Sequence, residues 1–156
     1  MNNICNYCIE FMKLYADTLG ITYGQANCIL FNILEPLVCI LLISALFITN
    51  SKYVKFTHVT SWIILSIFIV TCVFTFIHES MLYEYVLDVP TYISSIEMFG
   101  DSFLDRWCEF TIKCLYKIAE ITTLTYSEIN VILYVIIMPI ISIISYFISK
   151  KHVKQI

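Results

Sequence analysis

Residues 59–77 read VTSWIILSIFIVTCVFTFI, nineteen positions in a row without a charge. An α-helix rises 1.5 Å per residue, and a bilayer core about 30 Å thick takes about 20 mostly apolar residues to cross. This stretch is therefore predicted to span a membrane. Working outward, 26–47 meets the same test with interruptions at Asn27, Asn32 and Glu35, and 129–148 meets it without a charge. Between the last two spans lies a polar stretch, 78–128, too rich in charges to be buried in lipid. The expectation is an all-α integral membrane protein with three transmembrane helices, near 26–48, 59–78 and 128–148.

Composition agrees. The chain is 60% hydrophobic and 13% charged, whereas soluble domains carry about 25% charged residues. Its 156 residues allow one domain,. The net charge is −3 and no basic cluster interleaves with aromatics, so nucleic acid is not an expected partner,. The three glycines, Gly20, Gly24 and Gly100, form no phosphate-cradling loop,. The N-terminus lacks the pattern of a cleaved signal peptide, so the first span is expected to serve as its own insertion signal.

Lysines suggest an orientation. Lys52 and Lys55 follow the first span, and Lys150, Lys151 and Lys154 follow the third, with no acid among them. The positive-inside tendency then predicts a cytoplasmic 50–58 loop and C-terminus, and an outer N-terminus and 78–128 region.

A repeat runs through the chain. Thr22-Tyr-Gly-Gln-Ala-Asn27 resembles Thr125-Tyr-Ser-Glu-Ile-Asn130, and Pro36 matches Pro139 in the same ungapped register (125 − 22 = 139 − 36 = 103). That register also pairs Cys5 with Cys108, Ile9 with Ile112, Ala16 with Ala119 and Ile40 with Ile143. Thr22 with Gln25, and Thr125 with Glu128, have the spacing of a capping box, which satisfies free N–H groups at a helix start. Pro36 and Pro139 fall deep in their spans and are expected to kink them. Before each box an amphipathic interfacial helix is predicted, near 3–18 and 102–121. Ile4, Cys8, Phe11, Met12 and Tyr15 share one face of the first, and Leu104, Trp107, Cys108, Thr111, Leu115 and Ile118 share one face of the second,. Ser102, with Asp105 three residues on, marks the start of the second. The units are thus 1–49 (first repeat), 50–101 (second span and polar connecting loop) and 102–156 (second repeat and basic tail). One intervening span makes the repeats parallel, related by a pseudo-twofold along the membrane normal.

The residues of chemical interest are few. Glu35 lies near the middle of the first span, where a carboxylate is costly. It shares a face with Gly24, Gln25, Cys28, Asn32, Pro36 and Cys39, a small and polar face suited to close helix contact. One reading is a packing surface in which a protonated Glu35 bonds to a polar neighbour, on the Thr71 side of the second span or on the same face of another subunit. The other is a polar track for protons or cations. A second stripe, including Thr71, Thr75 and His78, runs along the second span. Cys5, Cys8, Cys108 and Cys114 leave a disulfide open in an oxidising compartment, and their spacing does not make a zinc site. Nothing in the pattern predicts a catalytic centre, metal site or cofactor. The function expected is a non-enzymatic interaction subunit, anchor or regulator, assembling as a homo- or hetero-oligomer through the polar faces of the first two spans. The alternative is an oligomeric pore or ion- or proton-conducting effector.

Overall fold

The computed structural model describes residues 2–48, 50–85 and 88–153; Lys154 of the basic tail lies outside them. The described residues are mostly helical, with no strand. Helix α1 runs Asn2–Leu19 and leads to α2, Tyr23–Phe47. Helix α3 runs Ser51–Tyr85, α4 Val89–Ser95 and α5 Phe103–Thr122. Helix α6 begins at Tyr126, and its apolar part is Tyr126–Lys151. Among the described residues, helices α2, α3 and α6 are the three long and apolar enough to cross a membrane.

Two boundaries differ from expectation. The second span was expected near 59–78, yet α3 has 35 residues and carries on through the charged 78–85 segment. The connecting loop also contains a short helix, α4, started by Pro90 in its first turn and by Asp88, whose carboxylate accepts from the Thr91 N–H. Helix propagation costs little once a turn exists, so a polar extension follows an apolar helix without needing an apolar pattern.

Several local features recur 103 residues apart. α1 ends at Leu19 and α5 at Thr122 (122 − 19 = 103), and the next residues, Gly20 and Thr123, both take positive φ, at 66° and 59°. Thr22 and Thr125 then cap α2 and α6 with nearly identical dihedrals, −74°/157° and −76°/156°. Both reciprocal capping boxes are present. Each helix widens into a seven-residue π segment, Cys28–Leu34 and Val131–Ile137, and returns to α geometry at Glu35 and Met138. The prolines explain the widening. A proline ring clashes with the carbonyl four residues back, here Asn32 (36 − 4) and Val135 (139 − 4), both inside the π segments. The Glu35 N–H accordingly reaches Leu30 O, and the Met138 N–H reaches Leu133 O, five residues back. A widened turn thus accommodates each proline.

α2 and α6 form the most extensive helix pair; α3 packs on α2 and α1 and, less extensively, on α6. α1 touches the start of α6, and α5 the start of α2, so the two preceding helices lie at one end of the bundle, each leaning on the other half. Their buried stripes match in register: Cys5, Met12 and Ala16 on α1, Cys108, Leu115 and Ala119 on α5. Several residues expected on those faces stand outside the stripes. Ile4, Cys8, Trp107 and Ile118 are exposed.

Candidate functional site

Where α2 meets α6, residues at the same register position touch each other. Cys39 Sγ lies 3.0 Å from Ser142 Oγ (142 − 39 = 103), and the Phe31 and Tyr134 rings lie 5.2 Å apart (134 − 31 = 103). Near Phe31 and Tyr134 the π segments leave a cavity of about 80 Å³. Its walls pair up across the same line: Cys5 with Cys108, Cys8 with Thr111, Met12 with Leu115, Tyr23 with Tyr126, Asn27 with Asn130 and Asn32 with Val135. Asn32 ties the walls together, donating from Nδ2 to Thr111 Oγ1 at 3.2 Å and accepting the Tyr134 hydroxyl at 3.4 Å. Burial, then the neighbouring Cys28, Asp105 and Glu109, push the Cys108 thiol up to about 12. Burial and Cys5 push the Cys8 thiol up as well. All seven cysteines are free thiols.

A second polar centre breaks the symmetry. Asp105 is fully buried on α5, and its carboxylate accepts from the Thr22 hydroxyl, from Gln25 Nε2 at 3.2 Å and from the Ser102 hydroxyl at 2.5 Å. Burial alone would raise its pKa. The bonds from Ser102, Thr22, the Gly100 backbone and Gln25 outweigh that and hold it below the usual carboxylate value,. The neighbouring 97–98 backbone completes the α2 start: Glu97 O accepts from the Tyr23 N–H and Met98 O from the Gly24 N–H. With Thr22 Oγ1 accepting from the Gln25 N–H at 3.2 Å, the free donors of that first turn are satisfied. Gly24 is required here, since a Cβ would stand 2.5 Å from Asp105 Oδ1 and 2.6 Å from the Phe99 ring. In the other half the equivalent position is Ser127, and the Glu128 carboxylate instead takes up the Thr125 N–H and hydroxyl, both at 2.9 Å.

The polar stripe on α3 turns toward α1. Thr71 Oγ1 lies 3.0 Å from the Tyr15 hydroxyl, Thr75 back-bonds to Thr71 O, and His78 Nε2 meets Asp17 Oδ2 at 2.9 Å. Tyr92 of α4 donates to the same Asp17 oxygen at 2.6 Å, which fixes α4 against α1 and raises the Tyr92 phenol's pKa.

Of the six residues proposed for an intramembrane polar face, Gln25 and Asn32 therefore bond to the other half, while Thr71, Thr75 and His78 lie on the α1 side. No bond runs from Glu35 to the Thr71 side within this chain, where Glu35 Oε2 is buried with no hydrogen-bond partner; the same face of another subunit was the other place expected for it. Tyr134 lies within electrostatic reach of Glu35. Asp105, missed as a site, was signalled only where the two similar segments differ, Gln25 against Glu128 and Gly24 against Ser127. Among the described residues no cluster of three or more His, Cys, Asp or Glu is placed to hold a metal ion. Comparison with known proteins gives no match: no family model, no curated protein and no solved structure is similar to this chain.

Proposed function

We propose that this chain is a non-enzymatic integral membrane subunit, an anchor or regulator built from two parallel copies of one unit. Each unit would be an interfacial helix, a capped turn and a proline-containing span. The touching equivalent pairs Cys39/Ser142 and Phe31/Tyr134 support the duplication. One observation carries the functional reading. Gln25, Asn32, Thr71, His78 and Asp105 direct their polar groups into bonds that hold the helices together, which leaves the outward faces of the spans apolar and fit for lipid or another membrane helix. The polar faces thus build the subunit, and assembly with partners falls to the apolar surface. An exposed stripe on α5, Phe103, Trp107, Phe110 and Ile121, supports its lying in the interface,. The lysine distribution supports an outer N-terminus and a cytoplasmic C-terminus.

The orphaned Glu35 oxygen favours a second reading, an oligomeric pore for protons or cations. Ion flux in liposomes separates the two. A parent protein that carries no flux above protein-free liposomes supports the subunit reading, and flux abolished by Glu35→Gln supports the pore. Chemical crosslinking in native membranes should give the subunit a stoichiometric partner or a fixed copy number. Recovery of the chain only as a monomer would overturn that reading.

A further inference from the structure

We infer that the outer face of α5 and α6, at the positions 103 residues on from those that α3 covers, docks α3 of a second copy of this chain. The inference rests on the reading of the chain as two similar units in parallel, and it names the partner which that reading leaves open. In the first unit α3 reaches from the end of α2 to α1. The Tyr53 hydroxyl lies 2.9 Å from Ser44 Oγ, Thr71 Oγ1 lies 3.0 Å from the Tyr15 hydroxyl, and the Phe76 and Phe11 rings lie 5.6 Å apart. In the second unit the corresponding positions are open. Tyr15 is 8% exposed but Ile118 is 42% exposed (118 − 15 = 103). Ser44 is half-buried but Phe147 is 63% exposed (147 − 44 = 103). Leu41, one turn earlier, is half-buried, and its counterpart Ile144 is 52% exposed. Among the described residues no fourth long apolar helix takes the place there that α3 takes in the first unit.

Polarity, spacing and direction identify the occupant. In the first unit Tyr15 and Ser44 are polar and meet polar groups of α3, Thr71 and Tyr53. Their counterparts Ile118 and Phe147 are apolar, so the side of α3 that fits them is an apolar one. α3 carries such a side unpaired. Val59, Ile63, Ser66, Val70, Val73 and Ile77 are all exposed and recur at alternating steps of four and three. That spacing seats one helix against another, and the small Ser66 at the centre lets two backbones approach closely. The buried Thr57, Ser61 and Thr75 lie on the opposite side of α3,, so the stripe is free while α3 holds its own unit. Within one copy α3 runs antiparallel to α6, with His58 beside Ser149 and Trp62 beside Tyr146. A second copy in the same membrane orientation presents its α3 in that same sense. Stripe and face are different surfaces, so the association is head-to-tail and continues from copy to copy unless its rotation closes a ring.

Site-specific photocrosslinking tests this. The photoreactive residue p-benzoylphenylalanine replaces Phe147 or, separately, Ile144 in the full chain, and two differently tagged forms are co-expressed in one membrane. After irradiation, mass spectrometry maps each adduct. The expected product joins either probe to the 59–77 stretch of a copy bearing the other tag. Ser66→Phe, which blocks the close approach from an exposed position, should abolish that product while the melting temperature of the chain in detergent stays at the parent value. Adducts with lipid alone would mean that the bilayer fills the face, and adducts with a different protein would mean that a foreign helix does. Either result overturns the inference, as does an adduct that lands on a second copy outside α3. An adduct with a different protein leaves the subunit reading standing. Lipid adducts from a chain that chemical crosslinking recovers only as a monomer overturn both.

Discussion

Replacing Asp105 by alanine should be the most damaging single change at the α1/α5 end. The carboxylate accepts three side-chain bonds, from Thr22, Gln25 and Ser102, and bonds to a charged group are worth about 1.5–3 kcal/mol each. Water entering the gap would restore part of that, so the net loss should be about 4 kcal/mol, the scale of removing one partner from a buried charge network. Asp105→Asn keeps the shape and one acceptor but turns an amide N–H₂ toward existing donors, and should lose about 2 kcal/mol. The pH dependence has a definite sign. The folded carboxyl is held below its ordinary value of 3.8, so its contribution is complete above about pH 4 and fades as pH falls through the folded value. Reversible unfolding by sodium dodecyl sulfate in mixed micelles, followed by circular dichroism at pH 7 and pH 3, measures all three proteins. An Asp105→Ala variant within 1 kcal/mol of the parent at pH 7, on the ~4 kcal/mol scale above, would refute the reasoning.

Gln25→Glu imports the other half's capping residue and sets two carboxylates about 3.2 Å apart. They would repel by about 5 kcal/mol at an effective dielectric of 20 unless one takes up a proton. That variant should unfold more easily at pH 7 than at pH 5, and Asp105→Asn in the same chain should remove the difference. Gly24→Ala should destabilise by about 1–3 kcal/mol through overpacking, while Ser127→Ala at the equivalent position stays within about 0.5 kcal/mol; thermal unfolding in detergent compares them. Thr123→Gly should stabilise by about 1 kcal/mol, because a β-branched residue is strained at φ 59°,, and a melting temperature that does not rise counts against it. Glu35→Met, copying Met138, should stabilise the fold by about 1–2 kcal/mol by removing an unpaired buried oxygen; a loss of stability in the same assay would mean that oxygen has a partner in the membrane.

Much of this architecture could be read from local chemistry. Thr22, Thr125, Pro36 and Pro139 act within a turn of themselves, so their roles follow from spacing alone. The three spans follow from apolar length. Asp105 was hidden because its partners lie 80 and 83 residues away at Gln25 and Thr22, and a carboxylate in a polar segment looks like any surface acid. Pro36 and Pro139 predicted a disturbed helix, but whether a kink or a π turn results depends on what packs alongside. The α1 and α5 faces came out rotated because each leans on the other half's capped turn, a contact that no single-helix pattern contains. The 78–85 extension of α3 was missed since its charges resemble those of a loop.

The length of α3 has a further consequence. At 1.5 Å per residue its 35 residues make a rod of about 52 Å,, against about 30 Å of hydrocarbon and about 40–45 Å with the headgroups. The uncharged 59–77 core accounts for about 28 Å, leaving two turns at each end, Lys52 and Lys55 on one and Glu79 and Glu84 on the other. Each overhang is long enough to carry the helix through the headgroups into water with its backbone bonds unbroken. An opposite charge at either tip then opposes sliding of the rod along the membrane normal. In a thinner bilayer a crossing helix of this length would tilt, and the His78–Asp17 and Thr71–Tyr15 contacts would carry α1 with it.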